Sequence, residues 1–138
     1  HIGFAVDTPH GLMVPKIRNV DQMSIQKIGE ELKKTSKLCR ELKIDKKEFF
    51  GGSITISSLG GLGGTHFTPI INPPEVAILG VGNNFDRLVK ENGKIVSRKI
   101  LPVSLSYDHR IIDGAEGARF CVYLGKCLGK DFAFKLAV

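Results

Sequence analysis

The sequence predicts one α/β domain of the α+β kind, in which helices pack against one face of a mixed β-sheet. Its 138 residues fit a single folding unit, placed at residues 1–138, and its composition (42% hydrophobic, 25% charged) is that of a globular protein. Short alternating or apolar segments predict strands, and two longer stretches carry apolar residues at helical spacing. The order is hairpin, helix, strands, helix. Because strands and helices do not alternate strictly, a doubly wound parallel sheet is disfavoured.

The N-terminal segment predicts a β-hairpin. Residues 2–6 and 12–18 have strand-like patterns, and residues 7–11 (DTPHG) lie between them. An aspartate, a proline of fixed φ and a closing glycine are typical of a turn. We therefore expect the two strands to pair around this turn.

A helix is predicted after the hairpin. Asp21 or Ser24 can cap its N-terminus. We expect the helix to end near Ile44, with a short turn at residues 45–49. One apolar stripe at mostly helical spacing marks the side expected to pack: Ile25, Ile28, Leu32, Leu38 and Leu42.

The central part predicts two strands around a glycine-rich loop. Residues 53–57 alternate between polar and apolar, and residues 76–81 form a short apolar run typical of a buried strand. The loop at 60–64 is too rich in glycine for regular structure. It fails the GxGxxG phosphate-binding pattern, because His66 stands where the third glycine is required. We interpret it as a shaping loop, not as a nucleotide site.

The last third predicts a second hairpin, a strand and a helix. Residues 85–90 and 94–100 flank Asn92-Gly93, a dipeptide typical of hairpin turns. A strand is predicted over residues 101–107. A helix is predicted over 113–128, with Asp113 at or next to its N-cap.

Composition narrows the classes of partner. The net charge is +6 and the pI is near 9.4, but the lysines cluster between Lys27 and Lys47 without interleaved aromatics or a nucleic-acid motif. We interpret the cluster as a solvated helix face and expect no nucleic-acid partner. No signal peptide and no apolar run of roughly 18–20 residues is visible, so no membrane partner is expected. Three cysteines without a CxxC pair are expected to be reduced packing residues: Cys39, Cys121 and Cys127.

The segment 105–114 (LSYDHRIIDG) concentrates polar side chains where a strand ends and a helix begins. His109 titrates near neutral pH and could accept a proton, while Asp113 could orient the loop, cap the helix or stabilise the imidazolium. A purely structural interpretation fits equally well: Asp113 caps the helix, Arg110 pairs with it, and His109 packs as a neutral side chain. A metal site is disfavoured, because a lone His-x3-Asp lacks a third ligand at a recognisable spacing.

Several ordered stretches resemble one family. Residues 106–114 (SYDHRIIDG) are similar to the HxxxDG motif of CoA-dependent acyltransferases, a superfamily that includes chloramphenicol acetyltransferase. Residues 7–24 (DTPHGLMVPKIRNVDQMS), 53–82 (SITISSLGGLGGTHFTPIINPPEVAILGVG) and 101–120 (LPVSLSYDHRIIDGAEGARF) narrow the resemblance to the catalytic domain of dihydrolipoamide acyltransferases. These are the E2 components of 2-oxo acid dehydrogenase complexes. The resemblance extends over essentially the whole chain.

This resemblance implies a chloramphenicol-acetyltransferase-like fold and acyl transfer between a dihydrolipoyl thiol and coenzyme A, with no metal. It implies that His109 is the general base, that Ser57 donates to the oxyanion, and that Asp113 supports the active-site loop. Further substrate contacts are implied at Asp7, Ser58 and Gly114, although a turn-forming role explains Asp7 more simply.

Assembly and partners also follow from the resemblance. It implies a homo-trimer that builds a cubic or dodecahedral core, with the His and Ser of one site supplied by neighbouring subunits. The chain is expected to be the C-terminal part of a catalytic domain. Lipoamide and the E1 and E3 components would then arrive through lipoyl and peripheral-subunit-binding domains outside it. The expected compartment is the bacterial or archaeal cytoplasm or the mitochondrial matrix.

The acyl group is the least determined expectation. Residues 65–80 (THFTPIINPPEVAILG) resemble acetyltransferases of pyruvate dehydrogenase complexes, so acetyl is preferred. Residues 131–134 (DFAF) resemble branched-chain enzymes, which leaves branched-chain acyl second and succinyl third. A structural core without catalysis is the alternative from another class of protein.

Overall fold

The computed structural model describes residues 1–129 and 132, and there the chain forms a five-stranded mixed sheet, two two-stranded sheets and two α-helices. The strands are β1 (Ile2–Phe4), β2 (Val6–Thr8), β3 (Gly11–Met13), β4 (Lys16–Ile17), β5 (Ile54–Ser58), β6 (Ala77–Val81), β7 (Phe85–Glu91), β8 (Lys94–Ile100) and β9 (Val103–Tyr107). The helices are α1 (Ile25–Arg40) and α2 (Gly114–Cys127).

The large sheet has the strand order β4-β1-β5-β6-β9. Strand β5 is parallel to both of its neighbours, whereas β4 and β9 pair antiparallel at the two edges. The predicted mixed sheet is therefore confirmed.

The N-terminal hairpin is present but divided. Strands β2 and β3 pair around a turn at residues 9–10, and β1 pairs with β4 farther from the turn. The division arises because the Ala5 N–H donates to the Ile56 carbonyl at 3.0 Å, which attaches β1 to β5. Asp7 lies within β2 opposite Leu12, so the prediction that it forms the turn is wrong.

Helix α1 begins where its cap predicts. The Ser24 hydroxyl accepts a hydrogen bond from the Lys27 N–H at 3.2 Å, which satisfies one of the unpaired donors of the first turn. Asp21, the other predicted cap, lies in a separate 3-10 turn at Val20–Gln22.

The same helix ends at Arg40, earlier than predicted. Leu42 adopts a left-handed backbone with φ of 54°, which cannot continue a right-handed helix. Ile28 and Leu32 face the sheet as predicted, but Ile25 and Leu42 are exposed. Only part of the predicted apolar stripe of α1 therefore packs against the sheet.

A long connection joins β5 to β6 and covers part of the sheet. It contains a 3-10 turn at Gly60–Leu62, a short regular element that the glycine content did not predict. Phe67 and Pro69 then pack directly against Gly80 of β6, where an added Cβ would lie 3.0 and 3.2 Å from their atoms.

The second predicted hairpin, β7–β8, is confirmed. Asn92 and Gly93 at its tip both have left-handed φ, 49° and 79°, as a tight two-residue hairpin turn requires.

Paired residues on neighbouring strands point to the same side of a sheet, so the strand register shows which side chains share a face. The two faces of the large sheet differ in polarity. The helix face carries mainly apolar side chains: Ile2, Phe4, Ile17, Ile56, Leu79 and Tyr107. The cavity face is more polar: Lys16, Thr55, Ser57, Ile78 and Gly80.

Both helices pack on the helix face. Ile28 and Leu32 of α1 border an apolar gap, and Ile2 and Phe4 of β1 line the same gap. Helix α2 lies against β9 through Gly117, where an added Cβ would be 2.7 Å from the Tyr107 ring. The prediction of helices on one face is confirmed.

The chain exposes more total surface than is expected for a folded monomer of its mass. Its accessible surface is 9791 Å2, against about 7,100 Å2 expected for a folded monomer of its mass. Several large side chains of the α2 region are exposed: Phe120, Val122, Tyr123 and Leu128. Large exposed apolar side chains on one helix are a feature of interaction surfaces.

Within the described residues, no helix combines the length and the apolar character needed to cross a membrane.

Substitution of Gly82 tests the close packing of the chain directly after β6. An added Cβ would overlap the Thr65 backbone carbonyl and come within 3.0 Å of Pro102. Because backbone atoms cannot move aside as a side chain can, we expect Gly82→Ala to destabilise the fold by about 3 kcal/mol and to lower Tm by roughly 10 °C. Differential scanning calorimetry measures this loss.

Gly29→Ala is the matched control, because Gly29 lies within α1 with open space around its would-be Cβ. Alanine there is expected to stabilise the helix by up to about 1 kcal/mol. Equal Tm values for the two variants would contradict the packing described here.

Candidate active site

The loop after β9 holds His109 at its exposed tip. The Asp108 N–H donates to the Val76 carbonyl at 2.8 Å, which extends the β6–β9 pairing by one residue. The Asp108 carbonyl then accepts hydrogen bonds at 3.0 Å from the N–H groups of Ile111 and Ile112. His109 therefore lies in a tight turn whose backbone is tied at its start, and its imidazole is open to solvent.

Tyr107 supports this loop from below. Its ring centroid lies 5.7 Å from that of His109, with the planes tilted by 39°. The same Tyr107 ring rests on Gly117 of α2. Strand β9 and helix α2 thus both fix the position of the aromatic ring beside His109.

An ion pair closes the turn on its outer side. The Arg110 guanidinium donates to both carboxylate oxygens of Asp108, at 2.9 and 2.6 Å, and the Arg110 N–H donates to the same carboxylate at 3.0 Å. These hydrogen bonds lower the pKa of Asp108 to about 2, so its carboxylate stays charged at any working pH. The predicted pairing of Arg110 with Asp113 is wrong, because the nearer Asp108 takes the guanidinium.

Asp113 caps helix α2. Its carboxylate accepts from the Glu116 N–H at 2.8 Å, and its carbonyl accepts from the Gly117 N–H at 3.0 Å. Gly114 follows as the first, exposed residue of the helix. Of the roles considered for Asp113, the structure shows the cap directly.

Ser57 lies on the cavity face of the sheet. It lines a cavity of about 410 Å3, whose walls also include Leu59, Phe67, Pro69 and Ile70. Its half-buried hydroxyl is therefore enclosed mainly by apolar side chains.

The implied substrate-contact residues near Ser57 differ in position. Ser58, one residue on, points to the helix face and is exposed, so it does not share the cavity with Ser57. Asp7 is exposed and lies opposite Leu12, which lines the cavity. Asp7 itself does not line the cavity.

One chain does not bring His109 and Ser57 together. Ser57 pairs with Gly80, which pairs with Ser104 of β9, so these three residues form one row across the sheet. From that row β9 runs three residues to Tyr107, about 10 Å, and His109 lies beyond it. With two strand spacings added sideways, the backbone of Tyr107, where the histidine loop begins, is about 14 Å from that of Ser57.

A second cleft lies beside the histidine loop. It has a volume of about 390 Å3 and is bordered by Ile71, Pro73, Glu75, Arg110 and Ile111 among others. The sequence interpretation missed this neighbourhood, because periodicity does not show that residues 71–76 cross beside residues 108–111. It equally missed the support that Tyr107 gives to His109.

The cysteines lie apart from both clefts and are unpaired. Burial raises the pKa of the Cys39 thiol, which keeps it protonated, as expected of a packing residue. Cys121 and Cys127 are half-buried on α2. Among the described side chains, no group of three His, Cys, Asp or Glu residues could hold a metal ion.

Comparison with known proteins gives a consistent result. The family of 2-oxoacid dehydrogenases acyltransferase (catalytic domain) matches residues 1–133. The dihydrolipoyllysine-residue acetyltransferase component of the pyruvate dehydrogenase complex of Cupriavidus necator is 51% identical over 132 residues, 96% of this chain and 24% of that protein. The chain thus spans about a quarter of the length of this curated relative.

Solved structures agree. A crystal structure of Azotobacter vinelandii dihydrolipoamide acetyltransferase superposes with a TM-score of 0.91 at 50% identity, covering 99% of this chain and 56% of that one. A cubic core of the pyruvate dehydrogenase multienzyme complex superposes with a TM-score of 0.91 at 49% identity, over the same shares.

The Azotobacter enzyme was investigated for the role of a serine, a histidine and an asparagine in its catalytic mechanism. There the serine precedes the histidine by 52 positions, and the asparagine follows the histidine by four. In this chain Ser57 precedes His109 by 52 positions and Asp113 follows it by four. The third residue differs, since an aspartate stands here at the spacing of the asparagine.

Proposed function

This chain belongs to the family of 2-oxoacid dehydrogenases acyltransferase (catalytic domain), and we propose that it is the C-terminal part of such a domain and transfers an acetyl group between dihydrolipoamide and coenzyme A. One observation supports this most strongly: at about 50% identity and a TM-score of 0.91, the chain keeps the Ser–His spacing of a dihydrolipoamide acetyltransferase.

His109 is proposed as the base. A free thiol has a pKa near 8.5, so only a few per cent is thiolate at neutral pH. The exposed imidazole of His109 takes the proton from the thiol of coenzyme A as its sulfur attacks the carbonyl of S-acetyldihydrolipoamide. The tetrahedral intermediate then collapses, the C–S bond to dihydrolipoamide breaks, and the leaving sulfur receives the proton from the imidazolium.

Ser57 is proposed to stabilise the tetrahedral intermediate. Its hydroxyl donates to the oxyanion that forms when the carbonyl is attacked. This hydroxyl lies in a cavity walled mainly by apolar side chains, which offer the oxyanion few other hydrogen-bond donors. The same apolar walls suit the hydrocarbon arm of a lipoyl group.

The active site is proposed to be shared between subunits. A hydroxyl must lie about 3 Å from the oxyanion, and within one chain the histidine loop begins about 14 Å from the Ser57 backbone. A trimer in which one subunit's histidine loop meets the cavity of its neighbour satisfies both requirements. The exposed apolar side chains of α2 support such self-association.

Larger assembly and partners are part of the same proposal. Similarity to a cubic core supports packing of the trimers into a cubic particle. Coenzyme A and lipoamide act as substrates; an E1 component supplies the acyl group on lipoamide, coenzyme A carries it away, and an E3 component reoxidises the dihydrolipoamide that remains. The proposed compartment is the bacterial or archaeal cytoplasm or the mitochondrial matrix.

The acyl group can be tested directly in the full-length protein that contains this chain. Acetyl-, isobutyryl- and succinyl-CoA are offered with dihydrolipoamide under one set of conditions, and kcat/KM is measured for each. We expect acetyl-CoA to be preferred by about tenfold or more, which corresponds to roughly 1.4 kcal/mol of transition-state binding. Preference for another acyl group would overturn the acetyl assignment alone.

Residues 131–134, which resemble branched-chain enzymes, lie outside the described residues except for Phe132.

In the test with three acyl-CoA substrates, absence of turnover with all of them would overturn the catalytic proposal. If light scattering still showed a large particle, the scaffold alternative would replace it.

A further inference from the structure

A buried ionic cluster lies on the cavity face of the sheet. Lys16 of β4 donates to the Glu75 carboxylate, and the side chains of both residues are 1% exposed. The Thr55 hydroxyl donates to the other carboxylate oxygen at 2.5 Å and accepts from the lysine ammonium at 3.4 Å. We call Lys16, Thr55 and Glu75 the buried triad.

The buried triad is enclosed by backbone. An added Cβ at Gly52 would lie 2.5 Å from the Glu75 carboxylate, and one at Gly3 would overlap the Thr55 hydroxyl. Two glycines therefore leave space for charged groups where side chains would normally fill a core. Within the described residues, every buried side-chain nitrogen or oxygen has a hydrogen-bond partner.

Stability alone explains this arrangement poorly. Removing two charges from water costs several kcal/mol per ion, and apolar residues of similar volume usually replace a buried ion pair without loss of stability. A buried pair does, however, hold its partners in one geometry, because any displacement leaves a charge unpaired.

Thr55 connects the buried triad to Ser57. Thr55 lies two residues before Ser57 on β5, and the two side chains point to the same face. Both residues line the same cavity. The hydrogen bond from Thr55 to Glu75 therefore fixes the strand from which the Ser57 hydroxyl projects.

Glu75 connects the buried triad to the loop that carries His109. Glu75 is followed by Val76, whose carbonyl accepts the Asp108 N–H at 2.8 Å. Asp108 begins the turn that carries His109. Displacement of Glu75 would therefore move the anchor of the histidine loop.

We propose that the buried triad is a positioning device, in which one ionic cluster sets the Ser57 strand and the His109 loop of the same chain in fixed relation. The inference rests on the proposed acyl transfer, to which it adds residues that touch no substrate. Since each subunit supplies a serine to one site and a histidine to another, an error in one triad misplaces groups in two sites. Misplacement by about 1 Å is enough to cost up to a hundredfold in rate.

Thr55→Val and Thr55→Ser form the test pair, made in the full-length protein. Valine keeps the shape of threonine but cannot donate to Glu75, whereas serine keeps the donor. We expect Thr55→Val to lower kcat about tenfold or more with each KM within about twofold of the original. Thr55→Ser is expected to retain most of kcat. Unchanged kcat in Thr55→Val, or a change confined to KM, would overturn the proposal.

A second readout does not depend on catalysis. Hydrogen exchange of the Asp108 amide reports its bond to Val76, and we expect faster exchange in Thr55→Val than in Thr55→Ser. Amides of the β7–β8 hairpin serve as the internal control. If the original protein proves inactive, the proposed function fails, but this measurement still decides whether the triad holds the loop. Unchanged exchange at Asp108 would overturn the positioning role.

The double variant Lys16→Met/Glu75→Leu covers the case in which Thr55→Val does not fold. It replaces the ion pair with apolar side chains and is expected to assemble, because neither charge is left unpaired. Positioning predicts that it assembles with a kcat about tenfold lower and faster exchange at Asp108. Full kcat in this variant, or failure of both variants to assemble, would show that the triad is only structural.

Discussion

We expect His109→Ala to lower kcat by at least about a hundredfold while the protein still assembles. A positioned base typically contributes roughly 10²- to 10⁴-fold, and alanine leaves the thiol of coenzyme A without a proton acceptor. Assembly is expected to persist because His109 is exposed and its loop is held by backbone bonds of Asp108 and by the cap at Asp113. Steady-state kinetics with acetyl-CoA and dihydrolipoamide measures the loss.

His10→Ala is the matched control for that variant. His10 is also exposed but lies at the turn of the N-terminal hairpin, and no role in the reaction is proposed for it. Its kcat is expected to stay within about twofold of the original, since surface substitutions usually change little. Near-normal turnover in His109→Ala would rule out the base role, and a dissociated His109→Ala protein would show a structural one.

Ser57→Ala has the second-largest expected effect. Loss of one donor to an oxyanion costs about 10²- to 10³-fold in kcat, or roughly 3 kcal/mol. We expect this loss in kcat with little change in KM, because the hydrogen bond forms fully only in the tetrahedral intermediate. Ser97→Ala is the control, since Ser97 is an exposed strand serine of the distant β7–β8 hairpin.

Substitution of Ser58 tests which of the two neighbouring serines, Ser57 or Ser58, stabilises the oxyanion. The side chain of Ser58 points to the helix face, away from the cavity that Ser57 lines. Ser58→Ala is therefore expected to lose less than Ser57→Ala. A larger loss at Ser58 would transfer the oxyanion role to it.

Mixed particles test whether the site is shared. Co-expression of His109→Ala and Ser57→Ala chains produces trimers in which some sites combine an intact histidine with an intact neighbouring serine. Random assembly of equal amounts restores about a quarter of the sites if the histidine and serine come from different subunits. If both residues acted from one chain, every site would lack one group and activity would stay at the level of the single variants.

The elements with strong local signals were predictable from the sequence. The Asn92-Gly93 hairpin, the Ser24 cap and the cap at Asp113 all depend on contacts between residues near each other in the chain. The divided N-terminal hairpin was not predictable, because Ala5 bonds to Ile56, a residue 51 positions away. The end of α1 was also missed, because a leucine gives no local sign of left-handed backbone at position 42.

The candidate site was only partly predictable. The motif at 109–114 indicates His109 and Asp113, but Ser57 gained its proposed role from resemblance and not from its local pattern. The partner of Arg110 was predicted wrongly, because spacing allows either Asp108 or Asp113 and only the turn geometry selects the former. The buried triad was missed entirely, since its members lie 39 and 20 positions apart and no local pattern connects them.

The amino-acid sequence by itself determined the family and the mixed α/β class and indicated His109 as the proposed base, because motifs and turn chemistry are properties of neighbouring residues. Only the tertiary structure decided where the proposed site residues lie relative to one another within the chain. The register of β5, β6 and β9 places Ser57 far along the sheet from the start of the His109 loop, and packing beside β4 buries Lys16 against Glu75. Such relations depend on contacts between residues far apart in the chain, and these contacts are set by packing and strand pairing.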